Sequence, residues 1–361
     1  MDVLFKVEHG SAKGTVSSQK KPRVCFVGPM LGTQTGWVPN PMEILSPYLA
    51  ELGYTCLLTS RIVNRYRRLA DIVSTLIADR NEYDLICLQV YSGRSIVLED
   101  IVSATAQFLR KPLTMMLHGG AIPDKIRHFP KWNSRILKRA KTIITPSTFL
   151  AEAIKPYGFQ AKVIPNLISL ENYSFKPRRK LAPRLLWMRT FYDYYNPSMA
   201  VFVLKQLLIE FPDAELTMAG QEKGIEGDVR QLVESLGLGT KVHFPGFLTD
   251  DKKQAIFNQH DIFLNTTYID NMPVCLVEAG AFGLPIVSTN VGGVPYLVEN
   301  EKNALLVKPN DVNGMAQAIC RLLHDDGFAE KLSRNGRQMA ERSSPANVLP
   351  LWEEVFYQAL N

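Results

Sequence analysis

Two carboxylates in the second half of the chain, Asp270 and Glu278, flank an Asn271-Met272-Pro273 turn. Glu278 falls inside the apolar run 274–282, VCLVEAGAF. A carboxylate there is costly to bury unless hydrogen-bond donors reach it, and sugar hydroxyls are such donors. Asn271 suits a helix cap and Pro273 a first helical turn, where a missing N–H leaves nothing unsatisfied. The amides of Val274, Cys275 and Leu276 then open toward Asp270 and the preceding loop, a setting that attracts phosphate. Further on, Gly292-Gly293 precedes a second helix start at Val294-Pro295. Arg189 directly follows the apolar run 184–188, RLLWM. Its planar, permanently charged guanidinium matches a pyrophosphate. These residue types in this order read as a site for a polyhydroxyl group joined to phosphate.

In the first half, His118 follows the apolar run 112–117 and precedes Gly119-Gly120. A histidine at a strand's end projects into the crevice outside a parallel sheet. The loop after 23–28 holds Gly28, Gly32 and Gly36. Strand, glycine-rich loop and helix form either a ligand approach or a flexible turn. The glycine spacing does not match the dinucleotide fingerprint, which argues against a nicotinamide cofactor.

Short apolar runs alternating with helical ones must hold these residues. Strands are expected at 23–28, 54–59, 84–90, 112–117, 142–146 and 161–165, with helices at 42–52, 69–78, 98–108, 136–141 and 149–157. A charged, proline-punctuated stretch follows at 174–183. The alternation then resumes, with strands at 184–188, 215–219, 242–244, 262–265, 286–288 and 304–307. Helices are expected at 199–210, 251–259, 312–324, 328–342 and 348–359. This pattern predicts an α/β chain of doubly wound parallel sheets, divided at 174–183.

The stretch 265–299 resembles the donor-site signature of the retaining GT-B glycosyltransferases of family 4, the glycosyl transferases group 1. That signature has two acids separated by seven residues, a small-residue helix, Gly-x-Pro-hydrophobic and Val-Gly-Gly-hydrophobic-Pro. Here it reads Asp270, Glu278-Ala279, Gly283-Leu284-Pro285-Ile286-Val287 and Val291-Gly292-Gly293-Val294-Pro295. The resemblance covers nearly all of 22–360. It implies the GT-B fold, two Rossmann-like doubly wound parallel-sheet domains with a cleft between them. Residues 1–21 are then a flexible tail and 22–175 the acceptor-side domain. Residues 176–344 bind the donor nucleotide, and 345–361 form a helix crossing back to the first domain.

The resemblance further implies a retaining, metal-independent transfer from a nucleotide-diphosphate sugar to the hydroxyl of a glycan, a lipid-linked carrier or a small molecule. Cell-surface polysaccharide biosynthesis is the setting, and no cofactor is needed beyond the nucleotide sugar. The catalytic candidates are Arg189 on the diphosphate, Asp270 orienting the sugar, and His118 contacting the donor sugar or the acceptor region. Glu278 takes ribose hydroxyls. Met272, Pro273, Val274, Gly292 and Gly293 line the same site, Gly220, Gly246 and Phe247 border the base, and Gly32 and Gly36 line the cleft. Two departures stand out. Asp270 occupies a place where the family more often has Glu. The family also has a lysine shortly after the arginine, whereas 189–197 reads RTFYDYYNP, with no cation before Lys205. Asn196, the tyrosines and backbone amides are left to compensate.

Lys+Arg 41 against Asp+Glu 35 gives a net charge of +6, a modest excess that suits anionic substrates or an anionic membrane surface. No nucleic-acid-binding motif is present. Cysteines 25, 56, 87, 275 and 320 are scattered through apolar runs without metal-ligand spacing, so free thiols and no metal are expected. No apolar run reaches the roughly 18 residues of a membrane span, and 1–21 has no signal-peptide core. A cytoplasmic protein is expected. Arg61, Arg65, Arg67 and Arg68 form one basic cluster. Lys125, Arg127, His128, Lys131, Arg135, Lys138, Arg139 and Lys141 form another, interleaved with Ile126, Phe129, Trp132, Ile136 and Leu137. The second is either a helix on the inner face of an anionic membrane or a solvated charged face. Two rival functions remain: a sugar-nucleotide epimerase or hydrolase, and a catalytically weak sugar-nucleotide-binding subunit, which the absent lysine favours.

Overall fold

The computed structural model describes residues 5–6, 21–32, 34 and 38–361. Gly36 and nearly all of the expected tail 1–21 lie outside them. The chain divides into two compact units, Met1–Ile168 with Pro345–Asn361, and Ser169–Ser344.

The first unit is built on β1 (Phe5–Lys6), β2 (Arg23–Val27), β3 (Thr55–Thr59), β4 (Leu85–Val90), β5 (Leu113–Leu117), β6 (Thr142–Thr145) and β7 (Lys162–Val163). Their order is β1-β3-β2-β4-β5-β6-β7, parallel throughout except for β1, which pairs antiparallel with β3 through Leu57 and Leu58. All of β4 and β5 is buried, as expected of strands covered on both faces. The strand order reverses between β2 and β4, so the crevice of this unit opens beyond their carboxyl ends. The last helix, Pro345–Leu360, closes one face by packing Trp352 and Phe356 edge-on against Phe26, with ring centroids 6.4 and 6.3 Å away.

The second unit holds β8 (Arg184–Met188), β9 (Glu215–Ala219), β10 (Val242–Gly246), β11 (Ile262–Asn265), β12 (Ile286–Thr289) and β13 (Leu305–Val307). They run β10-β9-β8-β11-β12-β13, all parallel. Here the order reverses between β8 and β11. The runs 184–188, 215–219 and 262–265 are strands with the bounds their composition predicts.

Several elements differ from expectation. The helix Glu226–Ser235 was not anticipated, because only Val229 and Val233 of it are buried and its first turn is acidic. The helix expected at 69–78 begins at Arg65, capped by the Asn64 side chain, so apolar periodicity placed its start too late. The helix expected at 136–141 is Pro130–Leu137, initiated by its proline, with a separate helix Ile122–His128 before it.

The stretch 174–183 is fastened into the second unit. Arg178 is 2% exposed and donates to the carbonyls of Lys176 (2.7 Å), Phe257 (2.9 Å) and His260 (3.2 Å). It also faces the Asp261 carboxylate at 3.6 Å, and its own amide donates to Ser333 Oγ at 3.0 Å. A buried guanidinium persists only with this many acceptors around it. Elsewhere in the unit the helices Val274–Phe282 and Asp326–Glu341 touch backbone to backbone. A Cβ on Gly280 would lie 2.5 Å from the Gly336 carbonyl oxygen, so only glycine allows that crossing.

Candidate functional site

The reversal point between β8 and β11 brings the expected charges together. Arg189 leaves β8 with its amide bonded to the Ala219 carbonyl at 3.0 Å, and Asp270 lies in the loop after β11. Arg189 Nη2 and Asp270 Oδ2 form an ion pair, with the two side chains 10% and 14% exposed. Nη1 of the same guanidinium donates to Cys275 Sγ at 3.0 Å, and its face covers the Tyr195 ring at 3.9 Å. Burial opposes the charge on Arg189. Asp270, Cys275 and Tyr195 outweigh burial and raise its pKa, so the cation is permanent. Burial lifts the Cys275 thiol above its ordinary range, and Arg189 pulls it partly back.

The helix Val274–Phe282 starts beside this pair with Pro273 as its N-cap, two residues later than the Asn271 cap the sequence suggests. Its first amides are not all open. Leu276 donates to the Pro273 carbonyl at 3.0 Å, whereas the amides of Val274 and Cys275 have no partner among the described residues. Two open amides and a guanidinium thus converge on one place, an arrangement that holds anionic oxygens. Met272 is buried beneath it.

Gly292 and Gly293 pack against the backbone of the loop that carries Asp270. A Cβ on Gly293 would overlap the Asn271 carbonyl oxygen, and one on Gly292 would overlap that of Asp270. The Gly293 amide donates to Asp270 O at 2.9 Å. This pair therefore grips the 270–271 backbone, and the Gly293 amide is not left for a ligand.

Glu278 is 7% exposed. Lys253 Nζ, on the helix Asp250–Gln259, donates to its Oε1 at 2.8 Å, and Tyr173 Oη donates to the same oxygen at 3.1 Å. Nothing local in the sequence marks Lys253, because a lysine on a polar helix looks like any solvated one. Its pairing joins residues far apart in the chain.

At the ends of β8, β9 and β10 the backbones lock together. Gly220 donates to the Gly246 carbonyl at 3.0 Å, and a Cβ on Gly220 would overlap the Arg189 carbonyl oxygen. Phe247 follows β10 and is 40% exposed, available as a stacking face. The loop that lacks a lysine is strapped to the segment after β11. Thr266 Oγ1 donates to the Tyr195 and Asn196 carbonyls at 2.7 and 2.8 Å, and Thr267 Oγ1 donates to that of Tyr194 at 3.0 Å. Asn196 adopts a left-handed conformation, φ 46°, at the start of the helix Pro197–Leu207. Its side-chain amide donates to Asn310 Oδ1 at 3.0 Å, so it holds the loop in place.

In the first unit His118 directly follows β5, its amide bonded to the Val90 carbonyl at 2.9 Å and its ring stacked on Tyr91 at 5.4 Å. Desolvation lowers its pKa to about 4, so the imidazole is neutral at pH 7. Gly32 donates its amide to both Glu43 oxygens, at 3.0 and 3.2 Å. Burial raises the Glu43 pKa, and the amides of Asn40 and Gly32 restrain it.

Many of the expected basic residues are paired. Arg135 and Arg139 bind Asp100, Arg127 binds Asp124, and Lys125 is buried against Glu99. Phe129, between them, is 53% exposed. Among the described residues no cysteines are bridged, no group of His, Cys, Asp and Glu could hold a metal, and no helix is long and apolar enough to cross a membrane.

Comparison with known proteins agrees with this geometry. Residues 171–339 match the family described as glycosyl transferases group 1. A protein of Salmonella typhimurium assigned to colanic acid biosynthesis as glycosyltransferase WcaL is 34% identical over 263 residues, 67% of this chain and 64% of that one. The chain spans between 24% and 64% of the length of the curated relatives it matches. In structure it is similar to Anabaena Alr3699/HepE in complex with UDP, with a TM-score of 0.71 at 19% identity, over 93% of this chain and 99% of that one. It is also similar to sucrose-phosphate synthase from Thermosynechococcus elongatus, with a TM-score of 0.74 at 16% identity, over 94% and 99%. At such identities the likeness is one of fold, and the fold is GT-B, two Rossmann-like parallel-sheet units. Residues 171–339 are thus the part of the chain that matches the glycosyl transferases group 1 family.

Proposed function

We propose that the protein is a retaining glycosyltransferase that takes a sugar from a nucleotide-diphosphate sugar and places it on an acceptor hydroxyl. One observation carries this reading: Arg189, Asp270, the open amides of Val274 and Cys275, and Glu278 lie together where the second sheet reverses its strand order. A UDP-sugar is the first donor to test, because Anabaena Alr3699/HepE was crystallised with UDP. Arg189 and the two amides take the diphosphate, Glu278 takes the ribose hydroxyls, and Asp270 orients the sugar. The bond from the sugar's anomeric carbon to the β-phosphate oxygen breaks, and the acceptor oxygen bonds that carbon on the same face. The acceptor's proton leaves on the departing phosphate. Positioning and fixed charge supply most of the acceleration. The positive charge comes from the protein, so turnover persists in EDTA.

The acceptor is a hydroxyl of a growing glycan or of its lipid-linked carrier, in keeping with the role assigned to WcaL. Around the helix Pro130–Leu137, the exposed Phe129 ring with Lys131 and Lys138 supports peripheral contact with anionic membrane. Flotation with phosphatidylglycerol vesicles checks this, and failure to float at low salt ends it. For the activity, the protein is incubated with a panel of sugar nucleotides and the products are followed by mass spectrometry. Slow donor hydrolysis or acceptor-dependent transfer is expected. A new sugar on an intact nucleotide would show an epimerase. Thermal stabilisation without any turnover would show a binding subunit. Either result overturns the transferase reading.

A further inference from the structure

We infer that Lys253 is a positioning residue for the nucleotide's ribose, acting through Glu278. The inference rests on the nucleotide-sugar reading of this site and adds to it a residue that no site motif contains. A carboxylate as buried as Glu278 stays charged only if a cation or several hydrogen-bond donors offset its lost hydration. Lys253 is that cation, 2.8 Å from Oε1, with side-chain exposures of 22% for the lysine and 9% for the glutamate. Tyr173 adds its phenol to the same oxygen at 3.1 Å, and the Tyr173 ring is itself wedged edge-on against Phe282 at 5.0 Å. Both protein donors thus reach one oxygen of Glu278. The carboxylate plane is fixed, and Oε2 keeps its lone pairs for a pair of vicinal hydroxyls.

The placement along the helix Val274–Phe282 supports this. Cys275, which accepts from Arg189, and Glu278, which accepts from Lys253, are three residues apart and so share a face of the helix. One face therefore presents a guanidinium at its open end and a lysine-anchored carboxylate one turn in. That is the order phosphate, then ribose, in a nucleoside diphosphate. Lys253 comes from a different element than the loop 189–197, so it does not replace the second cation that loop lacks after Arg189. Its ammonium holds Glu278 rather than a phosphate.

The test compares affinities for UDP and 2′-deoxy-UDP by titration calorimetry, between pH 5.5 and 8.5. It uses the full chain and its Lys253→Met, Lys253→Arg, Glu278→Gln and Lys253→Met/Glu278→Gln variants. A hydroxyl-to-carboxylate hydrogen bond is worth roughly tenfold or more in affinity. The unaltered protein should prefer UDP by about that factor at every pH. Lys253→Met should lose the preference, because without the ammonium the Glu278 carboxylate is no longer held in the plane that turns Oε2 toward the hydroxyls. Lys253→Arg should keep the preference, and the double variant should bind no worse than Glu278→Gln alone. The inference is overturned if Lys253→Met retains the preference at every pH, or if the two losses multiply in the double variant. Failure of the unaltered protein to bind UDP, ADP, GDP or TDP would instead overturn the nucleotide-sugar reading itself.

Discussion

At the carboxyl end of the first sheet, several polar groups bond to one another. Tyr91 donates to Gln89, the Gln89 amide reaches Asn40 at 3.3 Å, and Gly32 donates to Glu43. His118 lies neutral against the Tyr91 ring. At the same end of the second sheet, Arg189 carries permanent charge, Glu278 is held by a lysine, and two helix amides are left over. Both ends are reversal points of parallel sheets, where the fold alone provides a crevice. The difference teaches that the crevice is generic, and that the helix amides left over beside Arg189 are what the proposed diphosphate site draws on.

That contrast can be broken most sharply at Arg189. Arg189→Met should weaken UDP binding about a hundredfold, since charge-assisted bonds to phosphate are worth about 1.5–3 kcal/mol each. Calorimetric titration checks it, and a change below threefold would place the anion site elsewhere. Next in size is a matched pair of glycine substitutions. Gly293→Ala forces a methyl group into the Asn271 carbonyl, and Gly119→Ala forces one into Ser92. Each should destabilise the fold by about 2–3 kcal/mol in urea unfolding. Only Gly293→Ala should also weaken UDP binding, and equal affinities in the two variants would erase the distinction between the two ends.

The smallest effect concerns pH. His118 has a folded pKa of about 4 against an ordinary value of 6.5, so between those values the unfolded chain binds a proton that the folded chain does not. Stability should therefore fall as pH drops from about 6.5 to 4 and be flat with respect to this group above 6.5. His118→Gln should flatten that slope in thermal melts. An unchanged slope would mean that the ring is not desolvated.

Much of this was legible in the sequence because strands buried on both faces are plain apolar runs. RLLWM, ELTMA and IFLN announce β8, β9 and β11, and the residues that follow them are the ones a parallel sheet delivers to its crevice. Arg189 is such a residue, whereas Asp270 stands out by its spacing from Glu278. What stayed hidden depends on contacts between distant residues. Gly292-Gly293 looked like a source of amides, and only the path of the 270–271 backbone shows why side chains are barred there. Arg178 looked like one more charge in a connector, yet five carbonyl bonds and an aspartate draw it inside. Lys253 on its polar helix carried no local mark at all.

The bare-backbone crossing of Gly280 over Gly336 makes the N-terminal end of its helix sensitive from behind. Gly280 and Glu278 lie on opposite sides of that helix, two residues apart. A single methyl group at Gly280 would act as a wedge, tipping the amide-bearing tip away from its phosphate while every ligand-facing side chain stayed as it was. A loss of UDP affinity in Gly280→Ala would register that leverage, and it marks the seam between these two helices as a place where a substitution out of the ligand's reach still sets how firmly the ligand is held.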